Sequence, residues 1–166
     1  MQELSDSEVE ALIIDLRDNG GGLVDSAIGV ASEFLDGGVI LYELKNNGKE
    51  EVYNAAAGGS WLDEPLVVLV NGNTASASEI LAGAFRDRGR AVMIGTQTFG
   101  KGSVQHIHTL SDGSQMHVTT AEWYTPIHER IEEIGLTPDI VIEPSEDSDV
   151  AFETAVETLL ETLEDN

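Results

Sequence analysis

The chain has 166 residues, enough for one domain with a buried core, and 41% of them are apolar, as in globular proteins. Its 31 acidic residues against 8 basic ones give a formal charge of -23, which repels phosphate backbones and anionic lipid surfaces and argues against nucleic acid as a partner. Cysteine is absent, which removes disulfides, thiolate catalysis and cysteine-zinc sites, and no apolar run approaches the roughly 20 residues of an integral membrane segment.

In chain order, Val9 to Leu16 reads as a buried strand, and Asp18-Asn19-Gly20-Gly21-Gly22 after it as a turn whose N–H groups can approach a ligand. Leu23, Ala27, Ile28, Ala31, Phe34 and Leu35 recur at helical spacing and stop at Gly37-Gly38. Val39 to Leu44 and Glu50 to Tyr53 flank Asn46-Asn47-Gly48, which predicts a hairpin. Pro65 to Val70 has no polar member and predicts a central strand buried on both faces. The turn Asn71 to Ser78 leads into a helix marked by Ile80, Leu81, Ala84 and Phe85, with Gly89 as its stop.

Ala91 to Ile94 predicts another strand, so the order strand, helix, strand repeats and a layered α/β domain follows. Beyond the glycine-bounded loop 95–102, Ser103 to Leu110 and Gln115 to Thr120 alternate around the turn Ser111-Asp112-Gly113-Ser114. Pro138 to Ile142 predicts one more short strand. Residues 147–166 predict an acidic helix capped by Asp147, Ser148 or Asp149, with Phe152, Ala155, Val156, Leu159, Leu160 and Leu163 as its docking face.

The chemistry centres on Ser76, which sits where a buried strand turns into a helix. Unpaired N–H groups and the positive end of the helix dipole favour developing negative charge there. The plain alternative is that Thr74, Ser76 and Ser78 cap the helix. Lys101, between Gly100 and Gly102, is a candidate base: an ordinary lysine, with a pKa of about 10.4, is useless near neutrality, but desolvation lowers it by up to roughly 3 to 5 units. Gln105 would share a face with Lys101 if the segment is extended. The alternative for Lys101 is a loop cation paired with a carboxylate.

Gly95 to Lys101 also matches G-x-x-x-x-G-K of a phosphate-binding loop, but Gly102 stands where a Ser or Thr is needed and a strand-like pattern follows. His106, His108 and His117 raise a metal site without a distinguishing ligand pattern, and His128 to Glu132 lacks the second histidine of H-E-x-x-H.

The runs Leu16-Arg17-Asp18-Asn19-Gly20-Gly21-Gly22-Leu23, Thr74-Ala75-Ser76-Ala77-Ser78-Glu79-Ile80 and Thr98-Phe99-Gly100-Lys101-Gly102-Ser103-Val104-Gln105 resemble the carboxyl-terminal processing peptidases, also called tail-specific proteases. Thr119-Thr120-Ala121 with Tyr124-Thr125-Pro126, and Gly135-Leu136 with Pro138-Asp139-Ile140, match later blocks in the same order. The resemblance implies a crotonase-like α/β core and a serine endopeptidase cleaving proteins near their C-termini. Ser76 would be the nucleophile, Lys101 the base and Gln105 its orienter, while Ala77 with Gly21 or Gly22 would form the oxyanion hole and Ser78 would keep the helix-start role.

It implies protein or peptide substrates, neither metal nor cofactor, and a periplasmic, extracytoplasmic or secreted setting; the sequence leaves homo-oligomerisation open. Family members usually carry a PDZ domain and N-terminal segments that have no counterpart here, so residues 1–166 are expected to be a single catalytic core. The alternative is a catalytically weak peptide-binding or scaffold module of the same fold. Gly20 replaces a proline common in the family, and Ile127 to Arg130 departs from its small-residue pattern, so the 127–134 loop is not read.

Overall fold

Strand β4 (Leu66–Val70) is apolar throughout because both of its faces are covered. Leu66, Val68 and Val70 point into a core shared with helices α1 (Val24–Phe34) and α2 (Ala77–Asp87). Val67 and Leu69 point the other way, packing with Ile94 against Ala155 and Leu159 of helix α3 (Val150–Glu164). The coordinates are a computed structural model that describes residues 9–145 and 147–165, without the side chains of His106 and Ile107.

The sheet containing β4 is parallel, in the order β1 (Leu12–Asp15), β4, β5 (Val92–Gly95) and β8 (Ile140–Val141). A second, antiparallel sheet runs β3 (Glu50–Asn54), β2 (Val39–Lys45), β7 (Gln115–Tyr124), β6 (Ser103–Thr109). The two expected hairpins are therefore one sheet, because β7 continues past Thr120 and pairs with β2 from Lys45↔Ala121 to Tyr42↔Tyr124. Helix α2 touches both β2 and β5 and so lies between the sheets. Phe34 and Phe85 meet edge to face at 5.5 Å where α1 crosses α2.

The C-terminal helix differs from its sequence reading. Phe152 and Leu160 are exposed, while Ala155 and Leu159 are buried with Ala151 packed beside them. Ala151, Ala155 and Leu159 form the one side of the helix that packs with β4 and β5 residues, and Phe152 and Leu160 lie off that side. Of the three candidate caps Asp149 is the one used: it accepts from Phe152 N–H at 3.1 Å and pairs with Arg17 at 2.6 Å. Arg17 also grips Asp15 at the end of β1, so one guanidinium ties α3 to the parallel sheet.

Hydrogen bonds from Arg17 hold Asp15 and Asp149 below the usual carboxylate range. A carboxylate whose pKa is lowered by folding adds stability above its unfolded pKa and loses it as pH falls through the folded value. Asp149→Ala is therefore expected to cost about 1 kcal/mol in urea unfolding at pH 7, and the difference from the parent chain should shrink as pH falls through the lowered pKa of Asp149.

Candidate active site

Three loops leave the carboxyl ends of adjacent parallel strands, the edge at which open α/β sheets bind ligands. They follow β1 (the glycine turn), β4 (the Ser76 turn) and β5 (the loop to Lys101). The first two are laced together by side chains. Thr74 Oγ1 donates to Leu16 O at 2.8 Å and accepts from Asn71 N–H at 3.0 Å. Asn71 Oδ1 accepts from the N–H groups of Asp18 and Asn73, while the amides of Asn71 and Asn73 donate to Asp18 Oδ1 at 3.0 and 2.7 Å. Those donors hold Asp18 below the usual carboxylate range, Asn73 contributing most. Ala75 N–H donates to Asn19 O at 3.0 Å, which seats one turn on the other.

Ser76 is the N-cap of α2 and has φ 59° and ψ -122°. A non-glycine residue in such a conformation costs on the order of 1–3 kcal/mol and is held only by its surroundings. The helix-start role therefore falls to Ser76, whereas Ser78 is buried inside the first turn, a correction to the sequence reading.

The main restraint is Glu79, which is fully buried. Its Oε2 accepts from Ser76 N–H at 2.9 Å and Lys101 N–H at 2.8 Å; its Oε1 accepts from Thr98 Oγ1 at 2.5 Å and Gly100 N–H at 2.8 Å. Thr98 Oγ1 accepts in turn from Leu136 N–H at 2.7 Å. Sequence reasoning missed this role, although Ser76-x-x-Glu79 has the capping-box spacing that could have flagged it.

Gly21 packs directly on the serine turn. A Cβ there would lie 2.6 Å from Ala75 O, 2.8 Å from Ala77 N and 2.9 Å from Ser76 Cβ, and its φ is 92°. Its N–H is already given to Asn19 Oδ1 at 3.0 Å. The N–H groups of Gly22 and Ala77 have no protein acceptor among the described residues. Of the two glycines considered as oxyanion donors, Gly22 thus has the free group.

Lys101 and Gln105 are less closely assembled. With its N–H turned inward to Glu79, Lys101 has its side chain at the surface, in no hydrogen bond or ion pair among the described residues; the desolvated pocket expected for it is not formed. Gln105 is also exposed, and its Oε1 lies 3.4 Å from Nδ1 of His117 on the neighbouring strand. The 127–135 segment buttresses the lysine loop: Glu132 Oε2 accepts from Gly102 N–H at 2.7 Å and Glu133 N–H donates to Gly100 O at 2.9 Å. His128, at φ 61°, stacks on Tyr42 with ring centres 3.9 Å apart. The 95–102 loop leads into strand β6, not a helix, as expected if it is no phosphate-binding loop.

Residues 1–142 match the model of peptidase family S41. The chain is 41% identical over 167 aligned positions to a carboxyl-terminal-processing protease of Picosynechococcus sp., covering 96% of this chain and 40% of that protein. It is 45% identical over 140 positions to carboxyl-terminal-processing peptidase 2, chloroplastic, of Arabidopsis thaliana, covering 84% of this chain and 27% of that one. A solved photosystem II D1 C-terminal processing protease superposes with a TM-score of 0.80 at 41% identity, over 95% of this chain and 40% of its own. The chain thus spans well under half the length of these relatives.

Removing Glu79 would leave three N–H groups and one hydroxyl without acceptors in a buried site. Glu79→Ala is expected to cost roughly 3 kcal/mol or more in denaturant unfolding, and a loss below about 1 kcal/mol would show that the network does not hold the two loops.

Proposed function

The chain belongs to peptidase family S41, and from that premise we propose that it is the catalytic core of a serine endopeptidase that cleaves proteins near their C-termini, with Ser76 as nucleophile and Lys101 as general base. The observation that carries the reading is the strained Ser76 at the start of α2, flanked by the two unengaged N–H groups of Ala77 and Gly22.

In the proposed reaction Ser76 Oγ attacks the peptide carbonyl carbon as neutral Lys101 takes its proton. The oxyanion accepts from Ala77 and Gly22, and the amine product leaves with the proton from Lys101. Water activated by Lys101 then releases the acyl group. An exposed amine gains the neutral form a base needs when a bound peptide excludes water from it. The reading needs no metal or cofactor, and Gln105 orients Lys101 once the peptide is in place. The extracytoplasmic setting implied by the resemblance belongs to the same proposal; among the described residues no helix is long and apolar enough to cross a membrane.

A second reading, a peptide-binding module of the same fold without turnover, is favoured by one observation: Lys101 and Gln105 do not meet. Intact-mass analysis after treatment with a fluorophosphonate separates the two. Labelling is expected on Ser76 and should disappear in Ser76→Ala; equal labelling of both chains would remove Ser76 from the mechanism. Lys101→Ala is expected to lower peptide hydrolysis by roughly 10²- to 10⁴-fold without changing the unfolding midpoint, and unchanged hydrolysis would remove Lys101 as base.

A further inference from the structure

The chain holds three Asn-Gly pairs, Asn19-Gly20, Asn47-Gly48 and Asn71-Gly72. In such a pair the backbone nitrogen of the glycine can attack Cγ of the asparagine, because the glycine has no side chain to obstruct the approach. Each asparagine is activated in the same way: its Oδ1 accepts an N–H from two residues on, Gly21 at 3.0 Å, Lys49 at 2.9 Å and Asn73 at 3.0 Å. A donor there stabilises the oxygen that gains negative charge during the attack.

The attacking and leaving groups tell the pairs apart. Gly48 N–H is donated to Lys45 O at 2.8 Å, so that nitrogen is tied into its turn. Asn71 is half-buried, and its Nδ2, the group that must depart, donates to Asp18 Oδ1 at 3.0 Å while its Oδ1 takes a second N–H, from Asp18. At the first pair both groups are free: Asn19 and Gly20 are exposed, and neither Gly20 N–H nor Asn19 Nδ2 has a partner among the described residues. A Cβ built on Gly20 would meet nothing within 4 Å, so the peptide has room to turn.

We propose that Asn19-Gly20 is a site of spontaneous deamidation that converts ahead of the other two pairs, and that its isoaspartyl product unseats the glycine turn from the Ser76 turn. The Gly20 nitrogen gives its proton to water or hydroxide and bonds to Asn19 Cγ. The bond from Cγ to Nδ2 breaks and ammonia leaves, giving a succinimide. Water then opens the ring: addition at the side-chain carbonyl leaves aspartate, and addition at the backbone carbonyl leaves isoaspartate, with the chain running through Cβ and Cγ. The net change is water consumed and ammonia released, with nothing oxidised or reduced.

The isoaspartyl link adds one carbon–carbon bond, about 1.5 Å, to the path from residue 19 to Gly20, and it removes the side-chain amide that holds Gly21 N–H. The turn has no slack to absorb this. Asn19 O is the acceptor of Ala75 N–H at 3.0 Å, and Gly21 sits so close that a Cβ on it would lie 2.6 Å from Ala75 O. The new carboxylate also puts a negative charge into the turn that carries Gly22 N–H, where the proposed reaction develops an oxyanion; this effect on chemistry rests on Ser76 being the nucleophile.

The test incubates the folded 166-residue chain in mildly alkaline buffer and maps its proteolytic peptides by mass spectrometry with electron-transfer fragmentation, which separates isoaspartate from aspartate. Isoaspartate is expected at residue 19 well before residues 47 and 71; earlier conversion at either of those, or none at 19, overturns the site. Gly20→Ala, whose Cβ has space, is expected to keep residue 19 largely unconverted when the parent chain has converted, and Gly20→Pro, with no N–H to lose, to abolish conversion. Conversion at the parent rate in both variants would overturn attack by the Gly20 nitrogen. In the converted chain, hydrogen exchange across residues 74–78 is expected to quicken, and fluorophosphonate labelling of Ser76 to fall in step with the isoaspartate content, with both held at their starting values in Gly20→Ala. Unchanged exchange, or labelling that persists undiminished, overturns the unseating. Quickened exchange in a chain whose Ser76 fails to label even when fresh would uphold the modification and overturn the catalytic reading.

Discussion

The site depends on one buried carboxyl group. Glu79 is carried in the first turn of α2, where the amphipathic pattern of the helix places it among core residues, and it accepts from three backbone N–H groups and one hydroxyl. Two of those N–H groups belong to Ser76 and Lys101, so a single side chain fixes the backbone of both proposed catalytic residues. A buried acceptor of this kind can hold two loops because each donor it satisfies would otherwise be stranded from water. The constraint reaches further through Thr98, whose hydroxyl passes the register on to Leu136.

The same restraint accounts for a strained serine. Ser76 occupies a backbone conformation that a free chain avoids, yet it is gripped from the helix side by Glu79 and from the strand side by the contacts of Thr74 and Ala75. Gly21 completes the grip by packing where no Cβ fits. What remains free is small and directional: the N–H groups of Gly22 and Ala77 beside a serine side chain that is half buried. In the proposed reaction these two groups would be the preorganised oxyanion donors.

The lysine arm is built differently. Its backbone is fixed by Glu79 and buttressed by the 127–135 segment, while the Lys101 side chain is exposed and Gln105 leans toward His117. The candidate site thus combines a proposed nucleophile side held by many hydrogen bonds with a proposed base side whose side chains are exposed.

The order of elements was legible in the sequence because each carries a local signal. β4 is uninterrupted by polar residues, α1 and α2 repeat at helical spacing, and the Asn46-Asn47-Gly48 and Asp112-Gly113 turns are marked by their own chemistry. Ser76 was legible for the same reason, as a small residue at a strand-to-helix junction. Only the tertiary structure decided which donors are free, since Gly21 N–H is taken by Asn19 and Gly22 N–H is not. It also joined two separate hairpins into one sheet, turned Phe152 and Leu160 outward, left Lys101 exposed and gave Glu79 its partners. These outcomes rest on contacts between segments far apart in the chain, where local periodicity and turn propensity carry no information about which groups will face each other.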